Sequence, residues 1–401
     1  MSFEIAGRKI VFLLLAFAVL TSWYPGHLLI FAFDAGVFSL AVAWTLGRAG
    51  SGSPIARSVL LAPLGGIVLL GLAQLAAGST VYRFETWVSV LDWSALFALF
   101  FLALQFYATR SARASLRRAM LYFGFALSVV SLVQLFTAQG KIFWLFATEY
   151  KDSVMGPFLN RNHYACFIEL VLPLAVVEAF SSRRNKIANA TIAAAMFATV
   201  IAGASRAGTI LATLEIAIIS LGAVWSRNVA VGTKMASLLR IAALAAVFTA
   251  VVGCEVVWQR FQDPDPFQYR REMAISSAAM VRDRPGMGFG LGTYESAYPA
   301  YAVFDIGLTV NHAHNDWLEW AAEGGIPLFL LMAFVALWSV RAAWQTPWAT
   351  GVVAVFLHAS VDFPLHKMAI SAWLFVLLGA LAAKMREQRE EPACRPISSM
   401  Q

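Results

Sequence analysis

The stretch VLLAPLGGIVLLGLAQLAA, at residues 59–77, contains no charged residue. A helix needs about 20 predominantly apolar residues to cross the hydrocarbon core of a bilayer. Comparable stretches recur along the whole chain, so the sequence predicts an all-α, polytopic membrane protein with about 12 transmembrane helices. The other apolar stretches lie at residues 10–23, 28–46, 90–107, 118–138, 163–180, 187–203, 207–225, 238–257, 314–340, 348–361 and 367–383.

The overall composition excludes several classes of protein. Of the 401 residues, 60% are hydrophobic and only 13% are charged. Soluble globular proteins have roughly 25% charged residues, so a soluble enzyme, a disordered protein and a coiled coil are all excluded. The strands of an outer-membrane barrel alternate apolar and polar residues. These stretches are continuously apolar, so an outer-membrane barrel is excluded as well. The remaining class is a polytopic inner-membrane protein.

The basic residues indicate how the chain is oriented. If the N-terminus is cytoplasmic, most Lys and Arg residues fall in cytoplasmic connections, as the positive-inside rule requires. Both termini are therefore expected inside, and the first apolar stretch is interpreted as an uncleaved helix. The net charge of +7 then reflects topology, and no nucleic-acid partner is expected. The widely spaced Cys166, Cys254 and Cys394 predict neither a disulfide nor a metal motif.

The chain divides into four predicted parts. Residues 1–257 form an N-terminal transmembrane bundle of about nine helices, residues 258–313 a large periplasmic loop, residues 314–383 the C-terminal transmembrane helices, and residues 384–401 a cytoplasmic tail. Loops longer than about 15 residues are usually functional or disordered, and the aromatic content of this one favours function. Within it, residues 267–283 are predicted to form a short amphipathic helix that carries Arg270 and Arg271.

The first polar motif is GPFLNRNHYACF, at residues 156–167, where an outer loop becomes a helix. Asn160 or Asn162 is suited to cap that helix, and free N–H groups at a helix start favour anions. Arg161, Asn162 and His163 therefore indicate recognition of a phosphate or sugar at the membrane surface. The alternative is a helix cap with ordinary interfacial polar residues.

The second polar motif is GASRAG, at residues 203–208, a very short turn between two apolar stretches. Its Arg206 lies on the outer side, against the charge bias. A guanidinium held in a tight turn suits a phosphate or pyrophosphate, whose oxygens it binds in pairs. Arg270 and Arg271 are further ligands for the same anion, and simple snorkelling of Arg206 to the interface is the alternative.

The third polar motif is NHAHNDWLEWAAEGGIPL, at residues 311–328. His312 and His314 precede a membrane helix, with Asn315, Asp316 and Glu319 beside them. A histidine oriented by a carboxylate can act as a general base, which is the favoured interpretation of this motif. A solvated helix start and a metal pair are the alternatives, but a zinc site needs three or four ligands and the sequence shows no convincing further set.

The fourth polar motif is LHASVDFPLHKM, at residues 357–368. It contains His358, Asp362 and His366 around a short outer turn. Asp362 precedes Phe363 and Pro364, where capping of the turn is at least as good an interpretation as a catalytic role. His358 lies within an apolar stretch, where a hydrogen-bonded packing role is the simpler interpretation.

The ordered set of these motifs resembles the O-antigen ligase and polymerase superfamily of bacterial envelope glycosyltransferases, over about residues 150–383. The ligase pattern, His-Asn and then Gly after nine intervening residues, is met by His314, Asn315 and Gly325. The family's second glycine, three residues further on, is replaced by Leu328.

The resemblance implies a helical fold like that of the C-type glycosyltransferases, with its site on the periplasmic face. The donor would be a glycan on undecaprenyl pyrophosphate, and the acceptor a glycan, lipid A-core or other hydroxyl compound. His314 would be the base, Arg206 a pyrophosphate ligand, and Arg270 or Arg271 a second one; His312 and Asn315 would help to bind substrate. The resemblance implies no cofactor and no catalytic metal.

The sequence leaves the acceptor open: ligation to lipid A-core, polymerisation of repeats and transfer to protein share the same chemistry. A multi-pass transporter or lipid-linked glycan flippase is the alternative from another class. It would require charged residues deep in the bundle and matched broken helices in two related halves. The sparse charge within the apolar stretches and the long one-sided loop argue against it. A non-catalytic scaffold would not need the ordered polar motifs.

Overall fold

The computed structural model describes residues 2–49, 54–181, 185–225, 231–253, 255–265, 267–304, 307 and 309–390. Most of these residues are helical, and no strand forms among them. The helices are α1 (Ser2–Leu20), α2 (His27–Arg48), α3 (Leu61–Ala77), α4 (Arg83–Phe106), α5 (Arg110–Thr137), α6 (Arg161–Ser181), α7 (Lys186–Ala202), α8 (Arg206–Trp225), α9 (Val231–Val252), α10 (Glu255–Phe261), α11 (Gln268–Asp283), α12 (Tyr294–Ala297), α13 (Asp316–Gln345), α14 (Thr350–His358) and α15 (Met368–Glu390). Short 3-10 helices lie at Tyr298–Ala300, Pro347–Ala349 and Pro364–His366.

Every apolar stretch found in the sequence overlaps one of these helices, so the all-α fold is confirmed. Within the described residues, seven helices are long and apolar enough to cross a membrane: α2, α4, α5, α6, α8, α13 and α15. Helices α9 and α10 add an eighth if they are taken as one bent span. Helices α3, α7 and α14 are apolar but shorter. The expected count of about 12 spans is therefore not confirmed.

Helices α6 and α15 form the centre of the bundle. In each, 83% of the most apolar window is buried inside the protein, against 28% for α2 and α8. Helix α6 packs against α7, α8 and α14, whereas α15 packs against α4 and α1. The two central helices meet where Trp373 contacts Phe167 edge to face, with ring centroids 4.8 Å apart. A helix that is apolar all round belongs inside a bundle, and the more exposed apolar helices suit contact with lipid.

The two ends of α15 mark two ends of the bundle. Its first residue follows the turn that carries Asp362, whereas near its last turn Glu387 pairs with Arg113 of α5. Arg113 also donates hydrogen bonds to the carbonyls of Tyr107 and Ala108. Of the residues discussed above, Cys254 and Cys394 lie outside the described residues, as do 391–401 of the expected tail, and Cys166 is a buried free thiol.

The segment expected to be a large loop is folded. Helix α11 lies where the sequence predicts a short helix, and its Met273 and Met280 form a small apolar core with Phe289 and Tyr294. The hydroxyl of Tyr294 is 2.8 Å from that of Ser277 on α11. This small core extends onto α13, so α11 is held against the beginning of that helix.

Candidate active site around Asp362

The carboxylate of Asp362 lies at the junction of three chain segments and is only 1% exposed. It accepts hydrogen bonds from Asn162 Nδ2 at 2.5 Å and from Arg270 Nη2 at 3.2 Å, both on Oδ2. Its Oδ1 lies 3.3 Å from His314 Nδ1 and 3.8 Å from His163 Nε2. The turn after α14 thus brings together the starts of α6, α11 and α13.

These partners determine the charge of Asp362. Burial alone would raise the pKa of this carboxyl, but His314, His163 and Arg270 outweigh that effect and hold its pKa well below the usual value. The side chain therefore stays ionised at neutral pH. A permanently charged carboxylate is suited to orient an imidazole and to stabilise it when it takes up a proton.

The ring of Phe363 fixes the imidazoles around this carboxylate. His312 stacks on the ring, with centroids 4.0 Å apart and planes 20° apart. His163 and His314 contact the ring edge to face, at 4.7 and 4.9 Å. Lys367 Nζ lies 5.1 Å from the ring centroid, close enough for a cation–π interaction. One aromatic side chain therefore limits the rotation of three histidines.

The position of His314 depends on an unusual backbone conformation. Its φ is +49°, in the left-handed region that non-glycine residues rarely adopt. The next residue, Asn315, caps α13 by accepting a hydrogen bond from Leu318 N at 3.1 Å, and its amide donates to Ser360 O at 2.9 Å. The N–H of Asp316 donates to Ala359 O at 2.8 Å. The helix cap and the Asp362 turn together hold His314 in this strained geometry, as is common at functional sites.

A break in α13 receives the loop that follows α11. Gly325 has φ +67°, and a Cβ atom built there would lie 2.5 Å from Pro285 O. Gly288 has φ +64°, and a Cβ there would lie 2.4 Å from the backbone of Glu323. In return, Phe289 N and Gly290 N donate to the carbonyls of Ala322 and Glu323 at 3.0 and 2.9 Å. Only glycine allows this close approach of the two backbones.

A second group of ionisable side chains lies around His366, whose ring centroid is 5.3 Å from that of His312. His366 Nδ1 is 2.5 Å from Asp316 Oδ1, and His366 Nε2 is 3.4 Å from Glu319 Oε1. The same Glu319 oxygen is 2.7 Å from His312 Nδ1. Burial lowers the pKa of His366, but Glu319 and Asp316 outweigh burial and raise that pKa well above its usual value. Burial, with the nearby charges of Lys367 and His366, lowers the pKa of His312.

The arginines form a neighbouring group. Arg206 Nη1 donates to Arg260 O at 2.8 Å and lies 3.7 Å from Asp263 Oδ2. Arg260 Nη1 donates to Ala204 O at 3.1 Å, which ties α10 to the turn before α8. The charges of Arg206 and Arg270 both act on Arg260, and that of Arg260 acts on Arg161. Of these four cationic side chains, Arg270 is the one observed in contact with the Asp362 carboxylate.

The residues singled out in the sequence take different positions. His314, Asn162, His163 and Arg270 meet at Asp362, and His312 stacks on Phe363 beside them. Asn315 serves as a helix cap. Arg161 donates hydrogen bonds to Asp152 O and to Ser153 Oγ in the preceding loop. Arg206 lies in the arginine group. Arg271 points elsewhere, since it is 59% exposed and pairs with Asp265.

Sequence reasoning did not include Asp362, Phe363, Arg260 or Glu319 among the site residues. For Asp362 the sequence leaves turn capping and a catalytic role open, and its Oδ1 does accept a hydrogen bond from Phe363 N at 3.0 Å. Its contact with Asn162 joins residues 200 positions apart, which no local pattern reveals. The signal that was available is the dense polar motif at residues 357–368, within an otherwise apolar region.

Residues 191–333 match the family model described as O-antigen ligase. This part of the chain is therefore similar to the O-antigen ligase family. The match confirms the resemblance seen in the sequence, and it indicates glycan transfer of the O-antigen ligase or polymerase type in general. Comparison with curated proteins gives no match. The matched region contains Arg206, Arg270 and His314, whereas Asn162 at the start of α6 precedes it and Asp362 in the turn after α14 follows it.

Proposed function

We propose that the protein transfers a glycan from an undecaprenyl pyrophosphate carrier to a hydroxyl acceptor at the periplasmic face of the inner membrane. The observation that carries the proposal is that His314 and Arg270 contact the same buried carboxylate, that of Asp362. A base and an anion ligand are thereby held at a fixed separation. Such an arrangement suits a reaction in which an acceptor loses a proton while a pyrophosphate leaves.

His314 supplies the base. With Nδ1 directed at Asp362, the remaining nitrogen, Nε2, is left to take the proton of the acceptor hydroxyl. The side chain is 32% exposed, so an acceptor can approach it. The acceptor oxygen forms a bond to the anomeric carbon while the bond from that carbon to the pyrophosphate oxygen breaks. Attack opposite the leaving group inverts the anomeric centre.

The arginine group supplies the anion site. Arg206, Arg260, Arg161 and Arg270 place their positive charges around one region, and a departing pyrophosphate gains negative charge as its bond to the sugar breaks. Guanidinium groups bind phosphate oxygens in pairs, so they stabilise this leaving group without the need to protonate it. We propose that these positive charges take the place of a catalytic metal at the leaving group, as the resemblance to the ligase family implies.

The proposal specifies the acceptor only by its chemical class, a hydroxyl compound. Lipid A-core, a second glycan repeat and a protein hydroxyl all present an oxygen nucleophile, and each fits the same mechanism. A deletion strain separates the first two: free, unattached polymer indicates loss of a ligase, whereas single repeats on lipid A-core indicate loss of a polymerase.

The test uses His314→Ala and Arg206→Ala, expressed in a strain that lacks the native gene. We expect both variants to lose surface polysaccharide and to accumulate lipid-linked glycan in the outer, periplasmic leaflet of the inner membrane. His27→Gln, at an exposed histidine at the start of α2, is the matched control and should behave as wild type. Normal polysaccharide from both expressed alanine variants would refute the proposal. Accumulation in the inner leaflet would instead favour the flippase alternative.

A further inference from the structure

The group around His366 is arranged as a metal site. His312, Glu319 and His366 each offer one ligand atom, and these three atoms all lie within 4.8 Å of one another. Two imidazoles and a carboxylate are the ligand types of many zinc sites, and they suit zinc better than magnesium or calcium, which prefer oxygen ligands. Tetrahedral zinc at about 2.0–2.1 Å from nitrogen or oxygen places its ligand atoms about 3.3 Å apart. The distance of 3.4 Å from His366 Nε2 to Glu319 Oε1 agrees with that spacing.

The surrounding contacts hold these ligands in the orientation that a metal requires. Metal-binding histidines usually donate their other N–H to a carboxylate, which fixes the ring and the tautomer. His366 meets this condition, because its Nδ1 lies 2.5 Å from Asp316 Oδ1. Asp316 is in turn anchored by Leu365 N, which donates to its Oδ2 at 2.9 Å.

The other two ligands are oriented as well. Glu319 uses its second oxygen, Oε2, to accept a hydrogen bond from Ala313 N at 2.8 Å, so Oε1 is left facing both histidines. His312 is held by its stack on Phe363. Glu323 Oε2 lies 4.0 Å from His366 Nε2, outside the group of three.

We propose that His312, Glu319 and His366 bind one zinc ion, with Asp316 as the positioning carboxylate. The ion would replace the 2.7 Å contact between His312 and Glu319, and those two side chains would move apart by roughly half an ångström. Because the ligands come from the start of α13, the residues before it and the turn before α15, the ion would join these segments. His314 is not among these ligands, so the zinc would be structural and the proposed transfer chemistry would not pass through it.

The test is made on the purified full-length protein in detergent micelles, stripped with a chelator and then titrated with zinc alone. We expect about one zinc ion per chain after desalting, measured by elemental analysis, and a higher temperature of unfolding when zinc is present. A hundredfold excess of Mg²⁺ should not reproduce the thermal shift. Substoichiometric zinc in the wild-type protein, or a shift of equal size with Mg²⁺, would overturn the proposal.

Variants locate the site. His366→Gln and Glu319→Gln should bind zinc at least about tenfold more weakly, and Asp316→Asn about 10- to 100-fold more weakly, because loss of an outer-shell partner typically has that effect. His27→Gln should bind zinc as wild type does. Equal zinc binding by wild type and His366→Gln, with both eluting as monodisperse protein, would contradict the site. His314→Gln should abolish transfer and keep the zinc, so failure of this proposal and failure of the proposed function are distinguishable.

Discussion

Two aspartates illustrate what distinguishes the site from the rest of the bundle. Asp362, in the turn after α14, and Asp34, on α2, are 1% and 4% exposed. Asp362 accepts hydrogen bonds from Asn162 and Arg270 and faces two histidines. Neither carboxylate oxygen of Asp34 has a hydrogen-bond partner within the described part of the chain. The ionisable group that it faces is Asp92 on α4, another carboxyl group.

Burial is therefore common to both regions, and only the partners differ. An isolated carboxylate in an apolar surrounding is so unfavourable that such a group is normally neutral. At Asp362 the protein instead supplies cations and donors that keep the group ionised. The difference indicates that a buried acidic residue in this chain marks function only where other elements direct polar side chains at it.

The largest effect is expected from Asp362→Asn, compared with Asp34→Asn. The amide keeps the size of the side chain but removes the charge that orients His314, so transfer activity should fall by about 10²- to 10⁴-fold. Asp34→Asn should retain activity within about twofold, since it removes no partner of the site. Glycan transfer is measured in membranes with equal amounts of each variant. Similar activities for the two variants would contradict the conclusion that Asp362 belongs to the functional site and Asp34 does not.

A smaller effect is expected within α11, where neighbouring arginines have different partners. Arg270→Gln removes the hydrogen bond to Asp362, and because a hydrogen bond to a charged group contributes about 1.5–3 kcal/mol, activity should fall about 10- to 100-fold. Arg271→Gln removes only an exposed pair with Asp265, which contributes about 0–1 kcal/mol. Its activity should stay close to wild type.

The two variants carry the same substitution at adjacent positions, so each controls for the other in expression and helix stability. The affinity for the lipid-linked donor and the maximal rate are measured separately for both. A stronger loss in Arg271→Gln than in Arg270→Gln would contradict the orientation of α11.

The sequence predicted the helices and only part of the site, for reasons that lie in particular residues. Continuous apolar stretches identify helices directly, and the motif around His314 is local in the chain. Arg270 and Arg271, by contrast, are adjacent on a helix and project about 100° apart, so only the packing of α11 decides which one meets Asp362. The break at Gly325 depends on the loop at residues 285–290, which is distant in sequence.

The count of spans was harder to predict for a related reason. Helices α3, α7 and α14 are apolar but short, and composition alone treats them as equal to the long helices. Whether such a short helix crosses the membrane depends on the helices that pack beside it. In the same way, the role of Asp362 depends on the side chains around it. Periodicity describes a segment by itself, whereas the site consists of contacts between segments.

The smallest effect is expected in stability at the Asp34 region. Asp34→Asn or Asp92→Asn alone should leave the temperature of unfolding unchanged or raise it by a few degrees, because each removes one member of a carboxyl pair without cationic partners. The double variant should add little to either single variant, since both substitutions relieve the same contact and their effects are then not additive. Unfolding of the purified protein is followed by tryptophan fluorescence on heating. Strictly additive changes would show that the two carboxyl groups act independently. A marked loss of stability in either single variant would show that the surroundings stabilise this carboxyl pair, as they stabilise Asp362.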